Sequence, residues 1–492
     1  VSRLARVAPA VALACLAGVL AVYGAQAAVL LRYAWDWSPD EGLFLDYARR
    51  LLQAPATLYP KSIVPYPAIY GPLIAVVLAP IAALAEQPLP AARALNHALL
   101  AAGGTAVFLL VRRRAGTAAG AAAVALWLAP LDVSFWHVLV RPDTPMLVAL
   151  LLAACWLTPE RLERGAQRLD TRRLLAGGAA LVAATLFKPT AALHGAPLIG
   201  AWFLVDAAGA ARLLAFVAGA GLACAALLEL LSGGGWSWSQ RLFAEHPYFP
   251  DQVGVILGLF ATRTWPVLLL VAAAFADAWR RGRAPWRDGS VALVLGGLVI
   301  LPALGKGGAY FNYLLPLLSA LVIAGGRWLS PAAWGGPLLA GPAALALALA
   351  TAFPLPSARE GPTAAFFYDV VREAARDAPV LAIAPDYAYF VAGQPVEMEA
   401  TGLLFLSQGA PGAELIVERL LGRRYALVIE GPWRLPATPG ARAVFAGYVP
   451  VGECRLGSFL GPLPYRLSVP RGSRLKFLPP QGIDCRPAPA AS

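Results

Sequence analysis

The chain is a succession of apolar runs, roughly 15–25 residues each, broken by short arginine-rich clusters, which is the pattern of repeated bilayer crossings at about 20 residues each. Composition agrees: 59% of residues are hydrophobic and 14% charged, against roughly 45–50% and about 25% in soluble domains. The expected fold class is therefore a polytopic α-helical membrane protein. No glycine period or sustained heptad is present, and 5 Cys in 492 residues exclude a disulfide scaffold, an iron–sulfur protein or a zinc ribbon. A net charge of +12 would suit nucleic acid in a soluble chain, but here placement decides. Basic residues gather at Arg112, Arg113 and Arg114, at Arg161, Arg164, Arg168, Arg172 and Arg173, and at Arg280, Arg281, Arg283 and Arg287, always between apolar runs. They read as cytoplasmic loops, and no nucleic-acid partner is expected.

With Arg3 and Arg6 ahead of it, the first apolar run (7–31) starts in the cytoplasm and emerges outside at Arg32. A cleaved signal peptide ending at Ala25-Gln26-Ala27 is the rival reading. Residues 70–85 are short for a span, and if they crossed, every later basic cluster would move outside. They are expected to lie on or dip into the outer face. Spans then follow at 91–111, 115–135, 144–158, 174–187, 190–205, 213–231, 264–279, 290–304, 313–328 and 336–353. About eleven crossings put the N-terminus in the cytoplasm and the C-terminus outside, in a multi-pass protein of the cytoplasmic (inner) membrane.

Residues 1–353 thus form a transmembrane module with a long exterior first loop at 32–90, and 354–492 a C-terminal extracytoplasmic α/β domain. In the latter, a helical stretch at 363–378 precedes a strand at 380–384, and a second helix at 414–421 precedes a strand at 425–430. Cys454 and Cys485 either pair or stay as buried thiols. The tail after Pro487 is rich in proline and alanine and is expected to be disordered.

Ionisable groups in the exterior loops are the functional candidates. The first loop carries Trp35-Asp36-Trp37-Ser38-Pro39-Asp40-Glu41-Gly42. Ser38 with Glu41 has the spacing of a capping box, which accounts for Glu41 without chemistry. Asp40 is not needed for that cap, and Asp36 is a further candidate. A second turn carries Arg141-Pro142-Asp143, where an acid and an arginine sit together at the membrane boundary. Asp40 and Asp143 could converge from separate loops, as acid–base groups or as oxygen ligands for Mg²⁺ or Mn²⁺. Lys188 and Lys306 stand alone at the outer ends of helices, either snorkelling or binding an anion. Arg263 belongs to an aromatic, mildly basic loop before the eighth span. His194, Tyr310, Asn312 and Tyr313 complete the substrate-binding candidates. The four histidines lack metal spacing, and nothing resembles a P-loop or a dinucleotide fingerprint.

The order of these pieces resembles the GT-C polytopic glycosyltransferases, in the branch of the protein O-mannosyltransferases and the aminoarabinose lipid A transferases. The matching elements are one span, an exterior Asp40-Glu41 followed by Tyr47-Ala48-Arg49-Arg50-Leu51-Leu52, and Pro65-Tyr66-Pro67-Ala68-Ile69-Tyr70-Gly71-Pro72 leading into a juxtamembrane helix. Arg93, Arg141-Pro142-Asp143, Lys188-Pro189-Thr190 and Asn312-Tyr313 follow. The resemblance implies a sugar donor carried on polyprenyl phosphate, with Asp40 as base and Asp143 supporting acceptor or metal. The implied partners are that donor, membrane lipids and a glycan, lipid or protein acceptor. A transporter or flippase of lipid-linked sugars and a noncatalytic envelope-assembly scaffold remain as alternatives.

Overall fold

The computed structural model describes residues 2–329, 336–398, 410–431, 445–458 and 460–488, with backbone alone for 2–6 and 337. The side chains of Arg3 and Arg6 and residues 489–492 of the tail lie outside the described parts.

Apolar runs become helices because a helix satisfies its backbone polar groups internally. Helix α1 (Ser2–Arg32) is followed by the first loop, which contains α2 (Glu41–Gln53) and α3 (Leu73–Leu84). Next comes α4 (Pro88–Leu128), which reverses at Gly116 (φ 85°) just past Arg112, Arg113 and Arg114. Its two arms form an antiparallel hairpin, with Gly103 against Trp127 and Gly120 against Phe108. The short α5 (Leu131–Ser134) leads to α6 (Asp143–Leu157), α7 (Thr171–Phe187), α8 (Ala191–Val205), α9 (Ala207–Leu231) and α10 (Gly235–Ala244). The bundle closes with α11 (Pro250–Arg280), α12 (Val291–Val299), α13 (Leu315–Trp328) and α14 (Gly336–Ala350).

By length and composition, four helices can cross a membrane: Val7–Arg32, Pro88–Leu128, Ala207–Leu231 and Pro250–Arg280. Shorter apolar helices, among them Asp143–Leu157 and Ala191–Val205, fill in around them. Apolar helix occurs at each expected span, with one marked difference in extent. The segment expected at 264–279 begins fourteen residues earlier, at Pro250, because Pro250 suits the first helical turn and the run from Val253 to Phe260 continues the apolar face. Arg263 is consequently inside a helix and not in a loop.

The C-terminal part holds α15 (Glu360–Ala374), α16 (Tyr387–Val391) and α17 (Ala413–Leu421) around a five-stranded sheet. Its strands are β1 (Val380–Ala382), β2 (Leu427–Glu430), β3 (Tyr448–Leu456), β4 (Leu463–Pro470) and β5 (Cys485–Pro487), in the order β1-β2-β4-β3-β5. Strands β1 and β2 are parallel; all other neighbours are antiparallel. Cys454 on β3 and Cys485 on β5 face one another and form a disulfide.

The sheet does not close its core alone. One buried cluster runs from Leu43, Phe44 and Tyr47 of α2 through Phe367 and Tyr368 of α15 to Tyr389, Tyr465 and Leu467. Polar ties reinforce it. The Asp386 amide donates to the Pro39 carbonyl at 2.9 Å, and the Tyr66 amide to the Val396 carbonyl at 2.6 Å. The buried Asp46 carboxylate, paired with Arg49 at 2.8 Å and Arg50 at 2.9 Å, accepts the Val396 amide at 3.2 Å. The first loop is thus held between the helical bundle and the C-terminal sheet.

Candidate active site

Glu41 fixes the first loop to the bundle. Its carboxylate is fully buried, pairs with Arg93 at 2.6 Å, and accepts the backbone amides of Trp37, Ser38 and Val140 at 2.6, 3.1 and 3.0 Å. Burial alone would raise this carboxyl, but the Arg93 guanidinium and these donors hold it below the usual carboxylate range. The structure thus gives Glu41, a catalytic candidate by sequence, the place of an anchor, enclosed and saturated by its partners. The cap also differs in detail. Asp40, not Ser38, occupies the N-cap position of α2, and the Ser38 hydroxyl donates to the Asp40 carboxylate.

That arrangement turns Asp40 toward Arg141, whose guanidinium pairs with it. Arg141 Nε also reaches Asp143 Oδ2 at 3.4 Å, so one arginine links the two carboxylates expected to converge. Asp143, the first residue of α6, is fully buried and accepts from Lys188 Nζ at 2.7 Å and from Asn312 Nδ2 at 3.1 Å. Lys188 is 2% exposed and sits over the Tyr313 ring at 4.1 Å and the Tyr70 ring at 5.5 Å. It therefore does not snorkel. Burial opposes its charge, but Asp143 beside it keeps the ammonium above the ordinary lysine range. Within this network Asp40 is the carboxylate with access to solvent, its side chain 22% exposed where that of Asp143 is 0%.

Sequence reasoning missed Tyr70 and Trp136. Tyr70 precedes Gly71, where an added Cβ would lie 1.8 Å from the Leu186 carbonyl. Only a glycine lets the loop lie against the end of α7 beside Lys188, so the Tyr70-Gly71-Pro72 triplet was the available signal. Trp136 carries the Arg141 guanidinium at 5.3 Å from its centroid and packs on Tyr310 at 5.5 Å.

Other candidates fall elsewhere. Asp36 is buried against the C-terminal part, where the Tyr368 hydroxyl donates to it. His194 Nδ1 contacts the Gly296 carbonyl at 2.9 Å, joining α8 to α12. Lys306 donates to the Ala244 carbonyl at 3.3 Å in a turn packed on the start of α11. Arg263 pairs with Asp132. These four make no hydrogen bond or ion pair with the Asp40–Asp143 network among the described residues.

A divalent cation fits this donor set poorly. Arg141 already lies between Asp40 and Asp143, and Lys188 matches the remaining charge of Asp143. Among the described residues no group of three His, Cys, Asp or Glu side chains converges.

Residues 67–232 match the family described as dolichyl-phosphate-mannose-protein mannosyltransferase. The matched stretch contains Tyr70, Arg141, Asp143 and Lys188, while Asp40 and Asn312 lie outside it. No curated protein matches the chain in sequence. Among solved structures, ArnT from Cupriavidus metallidurans in the apo state aligns with a TM-score of 0.56 at 15% identity, over 94% of this chain and 99% of that one. ArnT from the same organism bound to undecaprenyl phosphate aligns with a TM-score of 0.57 at 15% identity, over 94% and 98% of the two chains. The chain is thus similar in fold to ArnT over nearly its whole length, and in sequence across residues 67–232 to the dolichyl-phosphate-mannose-protein mannosyltransferase family.

Proposed function

We propose that the protein transfers a sugar from a polyprenyl-phosphate donor to an acceptor hydroxyl on the extracytoplasmic face of the cytoplasmic membrane. The observation that carries this reading is the Asp40–Arg141–Asp143–Lys188 network, in which a solvent-accessible carboxylate adjoins one fixed cation and a second cation is held behind it by Asp143. The acceptor hydroxyl loses its proton to Asp40 as its oxygen attacks the anomeric carbon. The bond from that carbon to the phosphate oxygen breaks, and its electron pair leaves with the polyprenyl phosphate. Arg141 stabilises the departing anion through a charge-assisted hydrogen bond, and Lys188, buried behind it, adds positive charge to the site. Asp143 keeps Lys188 and Arg141 in place between turnovers. Two side-chain cations already supply the positive charge, so no step is assigned to a metal, and turnover is expected to persist in EDTA.

Three observations support the exterior orientation and the donor. The first loop is packed on a sheet bearing a disulfide, a bond that persists in oxidising compartments. The arginine clusters lie at the opposite helix ends, as cytoplasmic loops require. The structurally similar ArnT binds undecaprenyl phosphate, and an exterior site without nucleotide sugars needs a lipid-linked supply. The acceptor is a hydroxyl of a glycan, a lipid or a protein.

The test is to offer radiolabelled polyprenyl-phosphate sugar to the purified protein in detergent and follow polyprenyl phosphate. A transferase releases it, with the label moving to an added acceptor or to water. Intact donor after prolonged incubation with candidate acceptors, or donor merely moved across a vesicle, would overturn the proposal in favour of a scaffold or a flippase.

A further inference from the structure

Helix α6 carries Asp143 at one end and Leu157 at the other, about 21 Å away at 1.5 Å per residue. Beyond Leu157 lies a recess of about 360 Å³ lined by Arg114, Arg161, Arg283, Arg287, Asp288 and Trp328. A second cavity of about 240 Å³ shares Arg114 and adds Arg113, Arg173 and Arg327 beside apolar Leu110 and Trp156. Neither takes part in the network around Asp40.

The charges here do not cancel. Asp288 is buried and held by two arginines, Arg114 at 2.8 Å and Arg327 at 2.9 Å. Glu163 pairs with Arg287 at 3.4 Å on the rim. Arg161 and Arg283 line the same recess and make no ion pair among the described residues. Arg161, Arg283 and Arg287 reach solvent at the mouth of the recess, while Asp288 and Arg327 are buried behind them, so the positive charge gathers at the opening. An anion seated between Arg161 and Arg283 would match the charge that the carboxylates leave over.

The surroundings indicate where that anion comes from. Trp279, 68% exposed at the end of α11, and Trp286, 52% exposed, meet edge to face at 5.5 Å on either side of the Arg280 to Arg283 turn. Large exposed aromatic rings at the end of an apolar helix are stable at the level of lipid headgroups. The recess therefore opens where the bilayer meets water. The partly buried Trp156 in the adjoining cavity offers an apolar face to the glycerol and first acyl carbons. Basic pockets between membrane helices suit anionic headgroups in this way.

We propose that this recess binds the headgroup phosphate of an anionic phospholipid, with Arg161 and Arg283 as the contacts that the protein itself leaves unmatched. Arg114, already fixed by Asp288 and lying 4.3 Å from the Trp328 ring centroid, forms the back of the site. The site is separate from sugar transfer and would exist whatever the acceptor.

The experiment compares delipidated wild-type protein in neutral detergent with Arg161→Gln/Arg283→Gln and with Arg471→Gln/Arg474→Gln, which removes equal charge from the exposed surface of the sheet domain. Phosphatidylglycerol, phosphatidylcholine and inorganic phosphate are added separately, and binding is followed by native mass spectrometry and thermal unfolding. Wild type and Arg471→Gln/Arg474→Gln should retain phosphatidylglycerol and melt higher with it, but not with phosphatidylcholine. The Arg161→Gln/Arg283→Gln variant should bind about 30-fold more weakly. Equal binding by all three proteins would overturn the proposal, and so would an equal stabilisation by inorganic phosphate, which would indicate a free-anion site. If Arg161→Gln/Arg283→Gln melts lower without lipid, arginine modification of wild-type protein decides instead. Phosphatidylglycerol should then protect Arg161 and Arg283 and leave Arg471 reactive; absence of that protection rules the site out.

Discussion

Gly42, the second residue of the helix that begins beside Asp40, lies so close to Tyr387 that an added Cβ would stand 2.2 Å from the Tyr387 amide nitrogen. The loop that presents the candidate base and the C-terminal sheet region are therefore fitted backbone to backbone. Gly42→Ala must push them apart, at an overpacking cost of about 1–3 kcal/mol. The expected outcome is a lowered melting point together with reduced transfer activity, because Asp40 moves with its helix. A variant with wild-type melting and activity would show that this contact does not position the site.

Adjacent acids should behave oppositely. Glu41→Gln leaves Arg93 buried without its charge partner, a change worth about 3–5 kcal/mol of stability for an enclosed ion pair. Asp40→Asn leaves Arg141 still facing Asp143 and should unfold like wild type. Thermal unfolding of the two purified variants checks this directly, and equal destabilisation would contradict the division between an anchoring and a reacting carboxylate.

Lys188 and Asp143 should show coupling. Either Lys188→Met or Asp143→Asn strands a buried partner and lowers both stability and turnover. The double variant should recover part of the stability but none of the activity, since removing both charges is cheaper than removing one. A double-mutant cycle on melting points with parallel donor turnover measures both. Additive stability losses would refute the pairing.

Asp36 makes the junction between loop and sheet sensitive to pH. Burial pushes its carboxyl up to about 7, partly offset by the Tyr368 hydroxyl. In the unfolded chain an aspartate titrates near 3.8, so between these values the folded protein holds a proton that the unfolded chain has released. Stability contributed here is complete below about pH 4 and falls as pH rises towards 7, by at most about 1.4 kcal/mol per unit. Asp36→Asn should flatten that dependence and melt higher than wild type at about pH 8. A wild-type melting curve independent of pH over this range would contradict it.

Much of this was readable in the chain. Apolar runs located the helices because each must satisfy its own backbone in lipid, and the arginine triplet before Gly116 marked the reversal of α4. In the C-terminal part the helix–strand pairs ending at β1 and β2 were visible from their apolar strands. The β3–β4 hairpin was not, because Pro450 and Gly452 interrupt β3 where its register against β4 shifts, and only the short Glu453–Leu456 stretch keeps the alternation that signals a strand. The convergence of Asp40 with Asp143 was expected from their placement in loops at the same end of the apolar runs. That Lys188 is buried under two tyrosines did not, since an isolated lysine at a helix end looks the same whether it snorkels or pairs. Contacts such as Asp46 with Val396 join residues 350 positions apart and leave no local trace, so the clamp on the first loop could be seen only in three dimensions.

The reaction assigned to the Asp40 carboxylate is tested most directly by single-turnover measurement on Asp40→Asn protein that still binds polyprenyl phosphate and melts like wild type. General-base assistance is worth roughly 10²–10⁴-fold. The account predicts that polyprenyl phosphate release from the labelled donor slows by about that factor while binding of the lipid is retained. Release at the wild-type rate would contradict it.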